Sequence, residues 1–313
     1  MKRVLLASPR GYCAGVERAV ETVRRALALY GAPVYVRKQI VHNSHVVREL
    51  EGAGAVFVES VHDVPEGAPV VFSAHGVAPA VRSAAGARGL VAIDATCPLV
   101  TKVHTQARRY ADRGYAIVLI GHAGHEEVEG TTGEAPEAIV LVQSVGDAER
   151  VELSAGRLAY ITQTTLSVDE TREIVEVLQR RFPHIEGPAR EDICYATSNR
   201  QWAVKELLGE IDLLLVIGSR NSSNSLRLVE VARAAGVASH LVDDASEIDD
   251  AWLTGVAVVG VTSGASAPER LVLGVCDWFR ARGVDDVAEF RSAFEDVAFR
   301  LPVELRRAER SAA

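Results

Sequence analysis

Short, almost continuous apolar runs rich in valine and isoleucine recur along this 313-residue chain, and they constrain its fold more than any other feature. Six of them are VVFSA (70–74), VAIDA (91–95), YAIVLIG (115–121), LAYITQ (158–163), LLLVIGS (213–219) and VAVVGVT (256–262). Such runs are typical of strands buried on both faces of a parallel sheet. Helical patterns such as TREIVEVLQRRF (171–182) lie between them. Strand alternating with helix predicts an α/β fold with mainly parallel sheets.

Composition narrows the classes of function. Apolar residues make up 48% of the chain, which is enough for a large core, and the formal net charge is -8. No extended run of lysine or arginine occurs, so nucleic-acid binding is not expected. No run approaches ~18 apolar residues, so no membrane span is expected. The apolar stretch near the N-terminus is too short for a signal peptide, and we expect a cytoplasmic protein.

Three of the four cysteines stand where a helical pattern begins: Cys13 in GYCAGVERAV, Cys97 in CPLVTKVH and Cys194 in CYATSNRQ. The N–H groups and dipole at a helix N-terminus favour a thiolate. Three such strand–helix units predict three similar α/β domains, each bringing one cysteine to a shared centre.

The predicted domain boundaries follow these units. The first domain covers 14–96 and the second covers 97–193. The third combines 1–13 with 194–283, and 284–313 forms a C-terminal tail.

The residues alone leave the role of the cysteines open. Cys276 lies inside an amphipathic helical pattern and is expected to be core packing. The other three could also be buried packing residues. A disulfide between two of them would leave the third cysteine unpaired. The C-x₂₋₄-C pair usual in structural zinc sites is absent from the sequence. Three thiolates could instead hold an iron–sulfur cluster.

Polar residues follow the predicted strands, where ligands bind in open α/β sheets. They include three histidines and two serine-rich stretches that precede helical patterns, and Ser266 has capping-box spacing from Glu269. Helix N-termini with hydroxyl groups suit an anion such as phosphate. Ordinary helix caps and structural histidines are the alternative. Neither a Walker A motif nor a dinucleotide fingerprint occurs, so if this chain is an enzyme that reduces its substrate, it must take its electrons from a protein.

The motifs taken together resemble one family, 4-hydroxy-3-methylbut-2-enyl diphosphate reductase, over nearly the whole chain and in the same order. The matching segments are GYCAGVERAV, IVHNSHVV, FSAHG, DATCPLVTKVH, IGHAGHEEVEGTTGE, TQTTLS, CYATSNRQ, GSRNSSNS and TSGASAPE. The resemblance implies three α/β domains around a central 4Fe–4S cluster held by Cys13, Cys97 and Cys194, with one iron lacking a cysteine ligand. It implies reduction of the allylic alcohol diphosphate to isopentenyl and dimethylallyl diphosphate, with a ferredoxin or flavodoxin as electron donor.

The resemblance also assigns roles to other residues. Thr164 would lie near the substrate hydroxyl, and Glu127 would supply protons. Glu126 stands where the family commonly has proline, and this departure bears on the stiffness and local charge of the loop. The residues expected around the substrate diphosphate are His42, His75, His125, Ser222, Ser223, Asn224 and Ser266.

Two other functions remain possible from the sequence. A zinc hydrolase could use the three histidines with Glu127, and a non-catalytic iron–sulfur sensor could share the fold. Iron and sulfide analysis distinguishes the first from the reductase, and a turnover assay distinguishes the second.

Overall fold

The structure, a computed structural model, describes residues 2–153 and 156–312. All strand pairings in these residues are parallel, and the strands form three sheets. The predicted α/β class with mainly parallel sheets is therefore confirmed. The described α-helices are α1 (Ala14–Tyr30), α2 (Ser44–Gly52), α3 (Pro79–Ala87), α4 (Pro98–Asp112), α5 (Glu126–Thr132), α6 (Val145–Arg150), α7 (Val168–Arg181), α8 (Tyr195–Leu207), α9 (Ser223–Ala234), α10 (Glu269–Arg280) and α11 (Val303–Ala312), and 3₁₀ turns occupy Val61–Asp63, Leu208–Glu210, Ala245–Glu247 and Asp250–Leu253.

The chain forms two compact units. The first consists of the residues up to Val16, His42–Arg48 and Tyr195–Ala298. The second consists of Glu17–Val41, Glu49–Cys194 and the residues from Phe299 onward. The boundaries of three domains stay a prediction.

The first unit contains one sheet, in the order β10-β9-β11-β1-β12. Its strands are β1 (Arg3–Ser8), β9 (Leu213–Ile217), β10 (Ala238–Val242), β11 (Val258–Ser263) and β12 (Val287–Arg291). Alternate side chains of β9 enter two different apolar cores, one shared with α10 and the other with α8 and α9. Helices therefore cover both faces, which explains why β9 is apolar at every position.

The second unit contains two sheets, ordered β3-β2-β4-β5 and β7-β6-β8. Their strands are β2 (Val34–Arg37), β3 (Ala55–Val58), β4 (Pro69–Phe72), β5 (Val91–Asp94), β6 (Tyr115–Ile120), β7 (Ile139–Val142) and β8 (Arg157–Thr162). Ile117 and Leu119 of β6 pack on the side of α4, whereas Val118 and Ile120 pack on the side of α7. The helices α4 and α7 therefore lie on opposite faces of this sheet.

Neighbouring parallel strands end at the same edge of a sheet, so the loops that follow them lie side by side. The neighbours β6 and β8 are followed by the loop to α5 and by Gln163–Thr164, respectively. This pairing places the start of α5 beside Thr164.

Candidate active site

Each of the three candidate ligand cysteines stands at the beginning of a helix. Cys97 is the N-cap of α4, and Cys13 and Cys194 directly precede α1 and α8. All three are half-buried, and none forms a disulfide. This is the position predicted from the sequence, where the helix dipole favours a thiolate.

Backbone hydrogen bonds fix each of these cysteines to a loop that follows a strand. Cys13 donates its N–H to Ala265 O at 3.2 Å, and Cys97 donates to Ala74 O at 2.9 Å. Cys194 donates to Thr164 O at 3.0 Å. Cys276 differs, because it is fully buried among the apolar side chains of α10 and burial raises its pKa.

Glu127 and Thr164 form a buried pair in the second unit that is joined by two hydrogen bonds. Glu127 Oε1 accepts the Thr164 N–H at 2.6 Å, and Oε2 accepts the Thr164 hydroxyl at 2.9 Å. Glu127 is only 2% exposed. Burial raises the pKa of Glu127 to about 7, with a smaller contribution from Asp192, although both bonds from Thr164 act in the opposite direction.

His125 positions this acid through the helix that carries it. It is the N-cap of α5, and its Nδ1 accepts the backbone N–H of Glu127 at 3.1 Å. An accepting Nδ1 leaves the proton of a neutral imidazole on Nε2. His125 therefore caps the helix through Nδ1, and Nε2 is the protonated nitrogen of its neutral ring.

His75 and Glu126 form a second contact at the start of α5. His75 Nδ1 lies 3.3 Å from Glu126 Oε2, which also accepts a hydrogen bond from the Ser73 hydroxyl at 3.2 Å. Burial and the charge of Lys38 lower the pKa of His75 to about 4, so this imidazole is neutral near pH 7. Glu126 therefore contacts a neutral His75 and forms no ion pair with it. Sequence reasoning did not find this contact.

The first unit brings His42 and Ser266 together. The Ser266 hydroxyl donates to His42 O at 2.9 Å, and Asn221 Nδ2 lies 3.4 Å from His42 Nδ1. The capping role suggested by the spacing of Ser266 and Glu269 is wrong. The helix α10 begins at Glu269 with Pro268 as its N-cap, and the Ser266 hydroxyl is used on His42 instead.

The serine-rich stretch before α9 is a capped helix start with a bridging asparagine. Ser222 is the N-cap and accepts hydrogen bonds from the N–H and the hydroxyl of Ser225 at 3.3 and 3.0 Å. Asn224 Oδ1 accepts the Ala265 N–H at 2.8 Å, and its Nδ2 donates to Thr197 Oγ1 at 3.2 Å. The four residues at this helix start are all buried: Ser222, Ser223, Asn224 and Ser225.

Comparison with known proteins decides the family. Residues 4–280 match the family model described as LytB protein. The chain belongs to the LytB family. It is 64% identical to a protein of Acidothermus cellulolyticus named 4-hydroxy-3-methylbut-2-enyl diphosphate reductase, over 98% of this chain and 91% of the relative. A protein of Nocardia farcinica with the same name is 60% identical over 97% of this chain and 91% of its own length.

A solved structure agrees with this assignment. The structure of E-1-hydroxy-2-methyl-but-2-enyl-4-diphosphate reductase from Plasmodium falciparum superposes with a TM-score of 0.96, at 38% identity and 99% coverage of both chains. The resemblance predicted from the motifs is confirmed, and the curated relatives are named as reductases. The cluster and substrate roles of individual residues of this LytB chain stay predictions.

Arg200 is a residue of this LytB chain to which sequence reasoning gave no role. It is fully buried, donates to Gly11 O at 2.8 Å and pairs with Glu295 at 3.1 Å. Gly11 has a φ of 70°, and its N–H bonds to Ser263 Oγ at 2.8 Å. Arg200 therefore holds the turn before Cys13. This role becomes visible only in the structure, where a charged side chain is buried, because the partners of Arg200 lie far from it in the sequence.

No helix in the described part of this LytB chain is long and apolar enough to cross a membrane.

Proposed function

We propose that this chain reduces (E)-4-hydroxy-3-methylbut-2-enyl diphosphate to isopentenyl diphosphate and dimethylallyl diphosphate, the last step of the methylerythritol phosphate route. The names of the relatives and the family give the reaction class. The observation in the structure that carries the proposal is the buried Glu127, whose pKa of about 7 suits an acid that must give up a proton near neutral pH.

The cysteines suit an iron–sulfur cluster. Cys13, Cys97 and Cys194 are half-buried thiols outside any disulfide, each at the start of a helix. We assign them as ligands of a 4Fe–4S cluster with one iron lacking a cysteine ligand. When bound, this cluster supplies reducing electrons and a Lewis-acidic iron for the substrate hydroxyl.

Neutral donors are proposed to hold the substrate diphosphate. His75 is neutral near pH 7, and His125 can present an Nε2–H. The hydroxyl-rich start of α9 supplies further N–H and O–H groups. The complete proposed set is His42, His75, His125, Ser222, Ser223, Asn224 and Ser266.

Thr164 and Glu127 act on the reacting end of the substrate. The reaction consumes two electrons and two protons, breaks the allylic C–O bond and releases water. Burial raises the pKa of Glu127 to about 7, so it can donate a proton near neutral pH and be reprotonated. Thr164 fixes both carboxyl oxygens, and its hydroxyl is proposed to orient the substrate hydroxyl.

A ferredoxin or flavodoxin is the proposed electron donor, and the cytoplasmic location stays a prediction. Anaerobic purification with iron and sulfide analysis, followed by turnover with dithionite-reduced methyl viologen, tests the function. We expect a brown protein that releases both isoprenoid diphosphates. A colourless protein with stoichiometric zinc, or an iron–sulfur protein without turnover, would refute it.

A further inference from the structure

A groove of about 620 Å³ runs along the exposed face of α4 in the second unit. The proposed reaction does not use it. We call it the α4 groove. Its lining residues are Pro98, Thr101, Lys102, Thr105, Gln106, Arg109, Tyr110, Arg113, Ala189 and Arg190.

The α4 groove is basic although the chain as a whole carries a net charge of -8. Arg109, Arg113 and Arg190 are exposed, and none of them pairs with a carboxylate of the described residues. Lys102 is compensated, because its Nζ lies 3.0 Å from Asp192 Oδ1. Three uncompensated arginines therefore define the charge of the groove.

Carboxylates lie near the α4 groove, but among the described residues none lines it and none forms an ion pair with its three arginines. Glu186 accepts the hydroxyl hydrogen bond of Tyr115 at 2.6 Å. Glu191 lines a separate pocket of about 190 Å³ together with Tyr160 and Arg172. No aspartate or glutamate is among the residues that line the α4 groove.

Both walls of the groove lead to a proposed cluster ligand. One wall is α4, which begins directly after Cys97, and the other is the loop at 189–193, which ends at Cys194. Lys102 Nζ joins the walls by donating to the carbonyl oxygens of Arg190 and Glu191, both at 2.8 Å. The groove residues of α4 recur every three or four positions and so share one face of the helix.

The size of the basic surface distinguishes a protein ligand from a single small anion. At ~1.5 Å per residue, the distance along α4 from Cys97 to Arg113 is about 24 Å. The arginines are spread along this length on exposed, flexible side chains, which suits a protein surface better than one phosphate group. Charge complementarity of this kind orients partners that associate transiently.

We propose that the α4 groove docks a small acidic protein that carries electrons singly, with its redox group at the end of the groove near Cys97. This inference rests on the proposed function. Two such donors are each oxidised by one electron per turnover, and the two electrons, with two protons, convert the substrate alcohol into the isoprenoid diphosphate and water. The cysteine end is favoured because electron transfer slows steeply with distance.

The test combines Arg109→Glu, Arg113→Glu and Arg190→Glu in one variant. The matched control is Arg180→Glu, an exposed arginine on α7, which packs on the opposite face of the same sheet. Turnover is measured with reduced acidic plant-type ferredoxin and, separately, with dithionite-reduced methyl viologen. We expect kcat/KM for ferredoxin to fall tenfold or more and to lose most of its salt dependence. Iron content and turnover with the dye should match the parent, as should all properties of the control.

Three outcomes would overturn the docking site. The first is a kcat/KM for ferredoxin that is unchanged in the triple variant. An equal loss with ferredoxin and dye is another, because it indicates damage to the enzyme. The third is loss of pyrophosphate binding while ferredoxin binding persists, which would make the groove a small-anion site. Calorimetric titration of ferredoxin and of pyrophosphate into parent and variant tests docking independently of turnover. If the parent shows no turnover with the dye, the proposed function is refuted, but the docking site is still tested by the titration.

Discussion

Both carboxyl oxygens of Glu127 accept hydrogen bonds from the same residue, Thr164, one from its backbone N–H and one from its hydroxyl. These bonds favour the ionised carboxylate, yet burial outweighs them and holds the pKa of Glu127 at about 7. Relative to the ordinary value of 4.5, this shift corresponds to about 3 kcal/mol in favour of the protonated form. The pair therefore combines fixed geometry with a proton that is easily given up.

Replacing Glu127 by Gln should remove the proton donor and preserve the geometry. The amide oxygen can still accept the Thr164 N–H, and the amide nitrogen can donate to the Thr164 hydroxyl. A general acid contributes about 10²–10⁴ in rate, so we expect kcat to fall by this factor at unchanged iron content. Glu129→Gln is the control, because Glu129 lies on the same helix but is exposed and pairs with Lys38. Parent-like kcat in Glu127→Gln would exclude Glu127 as the acid.

The pH dependence of turnover should report the same group. Since the protonated acid is the active form, kcat should fall as the pH rises through about 7. The hydroxyl of Thr164 lowers the pKa of Glu127, so Thr164→Val, which removes it and keeps the backbone N–H, should move this limb to higher pH in addition to lowering the rate. Steady-state rates between pH 5.5 and 9 with the reduced dye measure it. A limb that stays in place in Thr164→Val would show that another group controls it.

Continuous apolar runs allowed the strands to be predicted, as LLLVIGS (213–219) shows, because β9 is buried on both faces. The strand β12 was not predicted. It lies in the stretch assigned to a C-terminal tail, pairs with β1 alone among the described strands, and is half-exposed, so its sequence VAEFR has no continuous apolar pattern. Pairing with a strand at the other end of the chain leaves no local signal.

The candidate site likewise has features that the sequence predicted and features that it did not. The motifs named Glu127 and Thr164, but the raised pKa of the acid comes from burial, which is a property of the packed unit. The contact between His75 and Glu126 joins positions that are distant in sequence, and so does the pair of Arg200 with Glu295. Such contacts follow from the order of the strands, which spacing does not specify.

Serine substitution should separate the ligand cysteines from the structural one. Cys13→Ser, Cys97→Ser and Cys194→Ser should each lose a stable cluster, because each removes a thiolate ligand. Cys276→Ser should keep its iron, although a hydroxyl in this apolar core lowers the melting temperature. Iron and sulfide are counted after anaerobic reconstitution. Full cluster content in Cys194→Ser, or complete loss in Cys276→Ser, would contradict the assignment.

Asn224→Ala should weaken diphosphate binding about tenfold or more. The substitution removes an amide from the proposed binding set and frees Ala265, whose carbonyl accepts the N–H of Cys13. A hydrogen bond to a charged group contributes about 1.5–3 kcal/mol, which corresponds to this loss. Calorimetry with the substrate measures the affinity. Ser239→Ala is the control, because it deletes a buried hydrogen bond to Val229 O in the same unit; an equal effect there would indicate a general loss of stability.

Glu126, the residue that stands in place of the family's usual proline, should serve binding and not proton transfer. Its Oε2 accepts a hydrogen bond from Ser73 and contacts His75, which is one of the residues proposed to bind the substrate diphosphate. Glu126→Gln keeps an acceptor oxygen, and its kcat should stay within a few-fold of the parent. Glu126→Ala removes the acceptor, so the KM for the diphosphate substrate should rise several-fold while kcat changes little. Rates with the reduced dye at matched iron content measure both variants. A loss of 10²-fold or more in kcat for Glu126→Gln, on the scale of a lost general acid, would assign the proton to Glu126 and show that the position of Glu127 in this loop has been misread.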